Sequence, residues 1–175
     1  MTLRPFFEWM DGFESSVSLR ESLNAYPILL TAHVVSMCLF AGIIMFWDLR
    51  LIGVALKKVP VMDIRTRLFP WSVTGFLISA VTGLLLFYSQ PMRYFGNYYF
   101  WMKFCFLVLA GLNILWFDWV TLKSVKKWGN DVVTPPAARF AGVASLLLWT
   151  SIVVTGRLIA YSGLVPDWWR ALELN

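Results

Sequence analysis

Charge is scarce in this chain. Asp, Glu, Lys and Arg make up 14% of its 175 residues, against about a quarter in soluble domains, which excludes an ordinary water-soluble globule. Histidine occurs once and cysteine twice. That is too little for a zinc site or a disulfide framework. The opening segment lacks a basic start followed by an apolar core, so no cleavable signal peptide is expected. The surplus of positive charge, +5 overall, does not point to nucleic acid, because the basic residues gather in two loops, as membrane topology requires.

What the chain has instead is apolar length. It is 59% hydrophobic with a mean hydropathy of +0.67. Each span needs about 20 apolar residues, and the sequence predicts four, over 25–47, 68–89, 98–120 and 140–163, the first free to run on toward Ala55. Lys57, Lys58, Arg65 and Arg67 follow the first span, and Lys123, Lys126, Lys127 and Arg139 follow the third. The positive-inside rule puts both basic loops in the cytoplasm. The expected setting is the inner membrane of a bacterium, with both termini periplasmic.

Ahead of the spans, Phe6, Met10, Phe13 and Val17 recur at helical spacing, the pattern of an amphipathic helix lying in the interface. Residues 1–24 are therefore an interfacial segment, 25–164 the bundle and 165–175 an interfacial tail. Trp168 and Trp169 read as anchors in that tail.

The chain also repeats itself. Residues 81–89 read VTGLLLFYS and 154–162 read VTGRLIAYS. Trp47-Asp48 follows His33 at the same interval as Phe117-Asp118 follows Lys103. The expected fold is all-α: a four-helix transmembrane bundle made of two duplicated helical hairpins running the same way through the membrane, with His33 and Lys103 in equivalent places. Gly42, Gly83, Gly111 and Gly156 are candidates for close helix approach.

Ionisable residues inside a bilayer are costly and by default functional. Helical rise puts His33, Lys103 and Arg157 each about 8–10 Å in from the outer edge. One ligand suits all three. A haem takes a histidine as axial donor, a neutral lysine amine or a charged lysine beside a propionate can face it, and arginine holds carboxylates with a bidentate fork. Met37 and Met102 are alternative thioether donors. Tyr88 and Tyr161 suit the interface better than a propionate. Copper is the competing metal, since His33, Met37, Cys38, Met102 and Cys105 include the soft donors that Cu(I) prefers. Against any cofactor stands a structural reading, in which His33 bonds a neighbouring Ser or Thr and Lys103 and Arg157 snorkel outward. Asp48 and Asp118 read as structural, pairing with Arg50 or Lys123.

The string AGIIMFWDLRLIG after His33, together with FPWSVTGFLISAVTGLLLF and FWMKF, resembles a bacterial family of four-helix membrane proteins of unknown function, over most of the chain. A more distant similarity is to the membrane protoporphyrinogen oxidases that bind haem b and to copper-resistance membrane domains. Carried over, the oxidase histidine falls on His33 and the lysine on Lys103. The likeness does not extend to the rest of the oxidase pattern, so it implies haem binding rather than porphyrin oxidation. The expected function is a b-type cytochrome or haem-binding subunit that transfers electrons near the periplasmic face, as a membrane oxidoreductase or as part of one. Its partners would be the lipid bilayer, a quinone or other redox partner, and a second copy of the chain if two histidines share one haem. A copper-handling protein and a cofactor-free accessory subunit are the alternatives.

Overall fold

The computed structural model describes residues 3–131, 133–161, 166 and 169. The protein is 83% helical, and no strand occurs among the described residues. Two short helices, α1 (Arg4–Asp11) and α2 (Glu14–Glu21), precede the first long one, α3 (Ala25–Ile52). Then come α4 (Val61–Ser89), the short α5 (Pro91–Phe95), α6 (Tyr98–Trp116), the one-turn α7 (Val125–Trp128) and α8 (Pro136–Leu158). A π-helical turn, Phe117–Thr121, extends α6. Among the described residues four helices are long and apolar enough to cross a membrane, and their outward faces carry large apolar side chains such as Val35, Phe46, Leu77 and Leu112. That is the pattern of a bundle solvated by lipid tails.

At the basic-loop end α3 runs on to Ile52 as expected, while α4 and α8 begin earlier than expected, at Val61 and Pro136. Arg50 ties the loops to the end of α3. It is fully buried, its Nε donates to the Val59 carbonyl at 2.7 Å and its Nη2 to the Asp131 carbonyl at 2.9 Å. The Thr134 hydroxyl donates to the Leu51 carbonyl, and Val61 N donates to the Gly129 carbonyl at 2.9 Å. Both loops are thus knitted onto the last turn of α3, which stops at Gly53 in the left-handed conformation (φ 85°).

At the opposite, terminal end, the expected single amphipathic helix is two. The chain breaks at Gly12-Phe13, where Phe13 turns extended (ψ 133°). The pieces fold back on the bundle. Phe7 packs on Phe87 and Phe95, and the buried Ser16 hydroxyl donates to the Tyr88 carbonyl at 2.8 Å. Phe6, Trp9 and Phe13 remain exposed and stack on one another, the apolar face an interfacial segment needs. Asn97 closes this end by accepting from Tyr99 N at 3.0 Å while its Nδ2 donates to the Ile159 carbonyl. Trp169 donates from Nε1 to the Gly96 carbonyl at 3.0 Å. Trp168 and most of the tail 165–175 lie outside the described residues.

Within the bundle α3 packs along α4 and α8, and α6 along α8, while α4 and α6 meet through the stacked rings of Phe87 and Phe100 near the terminal end. Of the expected glycines, Gly83 and Gly156 meet a neighbouring helix closely, and Gly75 and Gly142, not expected, do so against backbone. A Cβ at Gly75 would meet Ser36 O at 3.1 Å and Phe40 N at 3.2 Å, and one at Gly142 would meet Leu51 Cβ at 3.0 Å and Asp48 O at 3.1 Å. Gly42 and Gly111 face open space. Gly83 and Gly156 have a different use.

Candidate functional site

Gly83 makes room for His33. A Cβ there would lie 3.0 Å from His33 Cε1 and 3.4 Å from Nδ1. Gly156 makes room for Lys103 in the same way, with Nζ 3.2 Å from the position of a Cβ. The two hairpins therefore repeat one contact: an ionisable side chain on the first helix rests on the glycine of the VTG string on the second. His33 and Lys103 are both half-buried.

The histidine is oriented. Its Nδ1 lies 2.9 Å from the Ser79 carbonyl and 3.1 Å from Thr82 Oγ1. A carbonyl oxygen can only accept, so in the neutral ring the proton sits on Nδ1 and the lone pair on Nε2. No hydrogen bond involves Nε2 or Lys103 Nζ among the described residues. Arg157 is not drawn into this pair. It is exposed, donates from Nη2 to Tyr161 Oη at 3.1 Å and lies over the Tyr161 ring. Its neighbour Gly156 nevertheless fixes it at the level of Lys103. Tyr88, the counterpart of Tyr161, pairs with Ser15 instead.

The soft donors do not converge. Cys38 and Cys105 are both free and exposed, Met37 and Met102 are half-buried, and no group of three His, Cys, Asp or Glu able to hold a metal occurs among the described residues.

The acidic pair departs from its expected partners. Asp118 bonds Arg65 of α4, Nη1 to Oδ1 at 2.8 Å and Nη2 to Oδ2 at 3.5 Å, and not Lys123, which is exposed. Asp48 does not pair with Arg50, because residues two apart leave a helix on different sides and Arg50 is committed to loop carbonyls. Asp48 is 1% exposed, with no partner for Oδ2. Both acids line one cavity of about 80 Å³ among α3, α4, α6 and α8.

Equivalent residues of the two repeats line that cavity together. The register joining His33 to Lys103 pairs Ile44 with Ile114, Trp47 with Phe117 and Asp48 with Asp118, and the register joining Gly83 to Gly156 pairs Ser72 with Ser145. All eight line it. The sequence carried a signal for this, since Ser72 and Ser145 stand in matching apolar runs, but only the packing shows that they face one hollow.

A bundle of two such hairpins, with paired ionisable residues at one end and paired acids at the other, defines a class of small duplicated four-helix membrane proteins. The model of a family of unknown function, DUF6644, matches residues 6–162, and the chain belongs to that family. No curated protein matches the chain, and neither does any solved structure.

Proposed function

We propose that the protein is an inner-membrane b-type haem protein, or the haem-binding subunit of one, that carries electrons near the periplasmic face. The observation that carries this reading is the state of His33. Nδ1–H donated to a backbone carbonyl with Nε2 left free is the usual arrangement of a metal-ligating imidazole, the second bond fixing ring and tautomer. Lys103, on the equivalent glycine with no partner for Nζ, would face it as a second donor or hold a propionate. Arg157, steadied by Tyr161, would hold a propionate from the same level. Bound haem would supply a one-electron carrier. The two cavities that Asp48 lines lie at the other end of the spans. Half-buried His33 and Lys103 suit a group held against the bundle's flank, or between two copies that each give one histidine. The basic loops 53–60 and 122–135 would face the cytoplasm and both termini the periplasm. A quinone or a membrane partner would exchange the electrons.

The decisive experiment is a dithionite-reduced minus oxidised visible spectrum of detergent-purified protein, with haem quantified per chain. Sharp α and Soret bands that vanish in His33→Ala support the reading, and half a haem per chain places it between two copies. A featureless spectrum from folded protein made with ample haem overturns it, and full haem content in His33→Ala removes the ligand. Copper bound in stoichiometric amount would then support the copper-handling reading built on His33 and Met37, which the dispersal of the cysteines weakens. A metal-free, stable assembly would support an accessory subunit in which the His33–Ser79 bond simply ties α3 to α4.

A further inference from the structure

Asp118 has a cation beside it and Asp48 does not. In the register that aligns Gly83 with Gly156, the counterpart of Arg65 is Ala138, so α8 offers a methyl group where α4 offers a guanidinium. Asp48 is nonetheless the more buried acid, with Oδ2 unpartnered. It also lies close to the carbonyl end of α3, where the helix dipole opposes negative charge. A buried carboxylate without compensation is strongly disfavoured. The charged groups around it are few. Arg50 on its own helix is turned to the loops, Arg65 on α4 is bound to Asp118, and α8 lines the cavity with Ala141, Ser145 and Trp149 only.

The cavity wall is mainly apolar, with a few oxygen acceptors. Asn113 donates from Nδ2 to the Ala141 carbonyl at 3.1 Å, which orients the amide and leaves Oδ1 able to accept. The hydroxyls of Ser72 and Ser145 and the free oxygen of Asp48 complete the set, between the aromatic rings of Trp47, Phe117 and Trp149.

We propose that this cavity binds a compact ammonium-type cation, ammonium itself or a short primary alkylammonium, which takes beside Asp48 the place that Arg65 holds beside Asp118. N–H donors answer the oxygen acceptors, and aromatic walls favour a weakly hydrated organic cation. A hard metal ion asks for six or more oxygens, and no three acids converge here. Size limits the ligand. The volume of about 80 Å³ is well short of the roughly 150 Å³ that admits benzene, so a methyl-sized body fits and a ring does not. The neighbouring hollow on the α3–α8 flank, about 160 Å³, also reaches Asp48 but is otherwise nearly apolar. The part-exposed Arg65–Asp118 pair lines the cavity and, in this proposal, forms its mouth.

The test is calorimetric titration of the full-length protein in nanodiscs with methylammonium chloride, sodium chloride serving as competitor at matched ionic strength. Expected are saturable binding that sodium does not displace, roughly tenfold or greater weakening in Asp48→Asn, and tighter binding in Arg65→Gln, which removes the competing charge at the mouth. Unchanged affinity in folded Asp48→Asn, displacement by sodium, weaker binding in Arg65→Gln, or no saturable heat each overturn the proposal. Haem content in Asp48→Asn is expected to equal that of the parent, so this proposal and the haem reading fail independently.

Discussion

The two hairpins share a backbone plan and differ in what they do with charge. In the first, the ionisable residue near the terminal end is an imidazole tied to Ser79 and Thr82. In the second it is a lysine with a long free stem. At the loop end the order reverses, with a solitary acid in the first hairpin and an acid paired to arginine in the second. Duplication alone would make both ends symmetric. The differences mark where one copy kept packing and the other took up chemistry, and each can be probed by substituting equivalent positions in parallel.

The largest contrast is expected at Arg50 and its counterpart Val120. Arg50 is buried and satisfies two loop carbonyls, whereas Val120 is 56% exposed. Arg50→Ala leaves both carbonyls and a void behind, at a cost of about 3 kcal/mol. Val120→Ala should stay within about 0.5 kcal/mol. Denaturant titration in detergent compares them, and equal losses would mean that the loops are not held through Arg50.

Next come the glycines. At Gly83 an added methyl meets an imidazole ring held by hydrogen bonds, and at Gly156 it meets the far end of a flexible lysine. Overpacking against a fixed group costs about 1–3 kcal/mol, while alanine returns up to about 1 kcal/mol of helix propensity. Gly83→Ala is therefore expected to lower stability by about 1 kcal/mol and to shift or abolish any haem spectrum, and Gly156→Ala to be near neutral. A spectrum unmoved by Gly83→Ala would separate the ring's position from cofactor binding.

Much of this was legible beforehand, for physical reasons. Long apolar runs between basic loops can do little else but span a bilayer, and the VTG strings pointed to the duplication that the His33–Gly83 and Lys103–Gly156 contacts repeat. Interaction partners were harder. Asp48 and Arg50 look like a pair in sequence, but helical geometry turns them apart, and the loops that claim Arg50 come from 9 and 81 residues away. Gly42 and Gly111 resembled packing glycines because composition cannot say which face of a helix meets protein and which meets lipid. The cavity was harder to read for a related reason: the matching Ser72 and Ser145 hint at it, but only the packing of α3, α4, α6 and α8 brings their side chains to one hollow.

The finest comparison is between the acids. Arg65 and Asp118 keep 23% and 34% of their side-chain surface exposed, so solvent screens the pair and holds its worth below about 1 kcal/mol. Asp118→Asn should lose part of that, since the amide oxygen still accepts from Nη1. Asp48→Asn keeps the shape while replacing a buried carboxyl that no cation in the chain bonds. In ammonium-free buffer it is expected to leave stability unchanged or raise it by up to about 1 kcal/mol. The two substitutions thus carry opposite signs at equivalent positions. If Asp48→Asn proves the more damaging, the folded chain already neutralises Asp48 through its own groups, and no outside cation is needed to account for the acid.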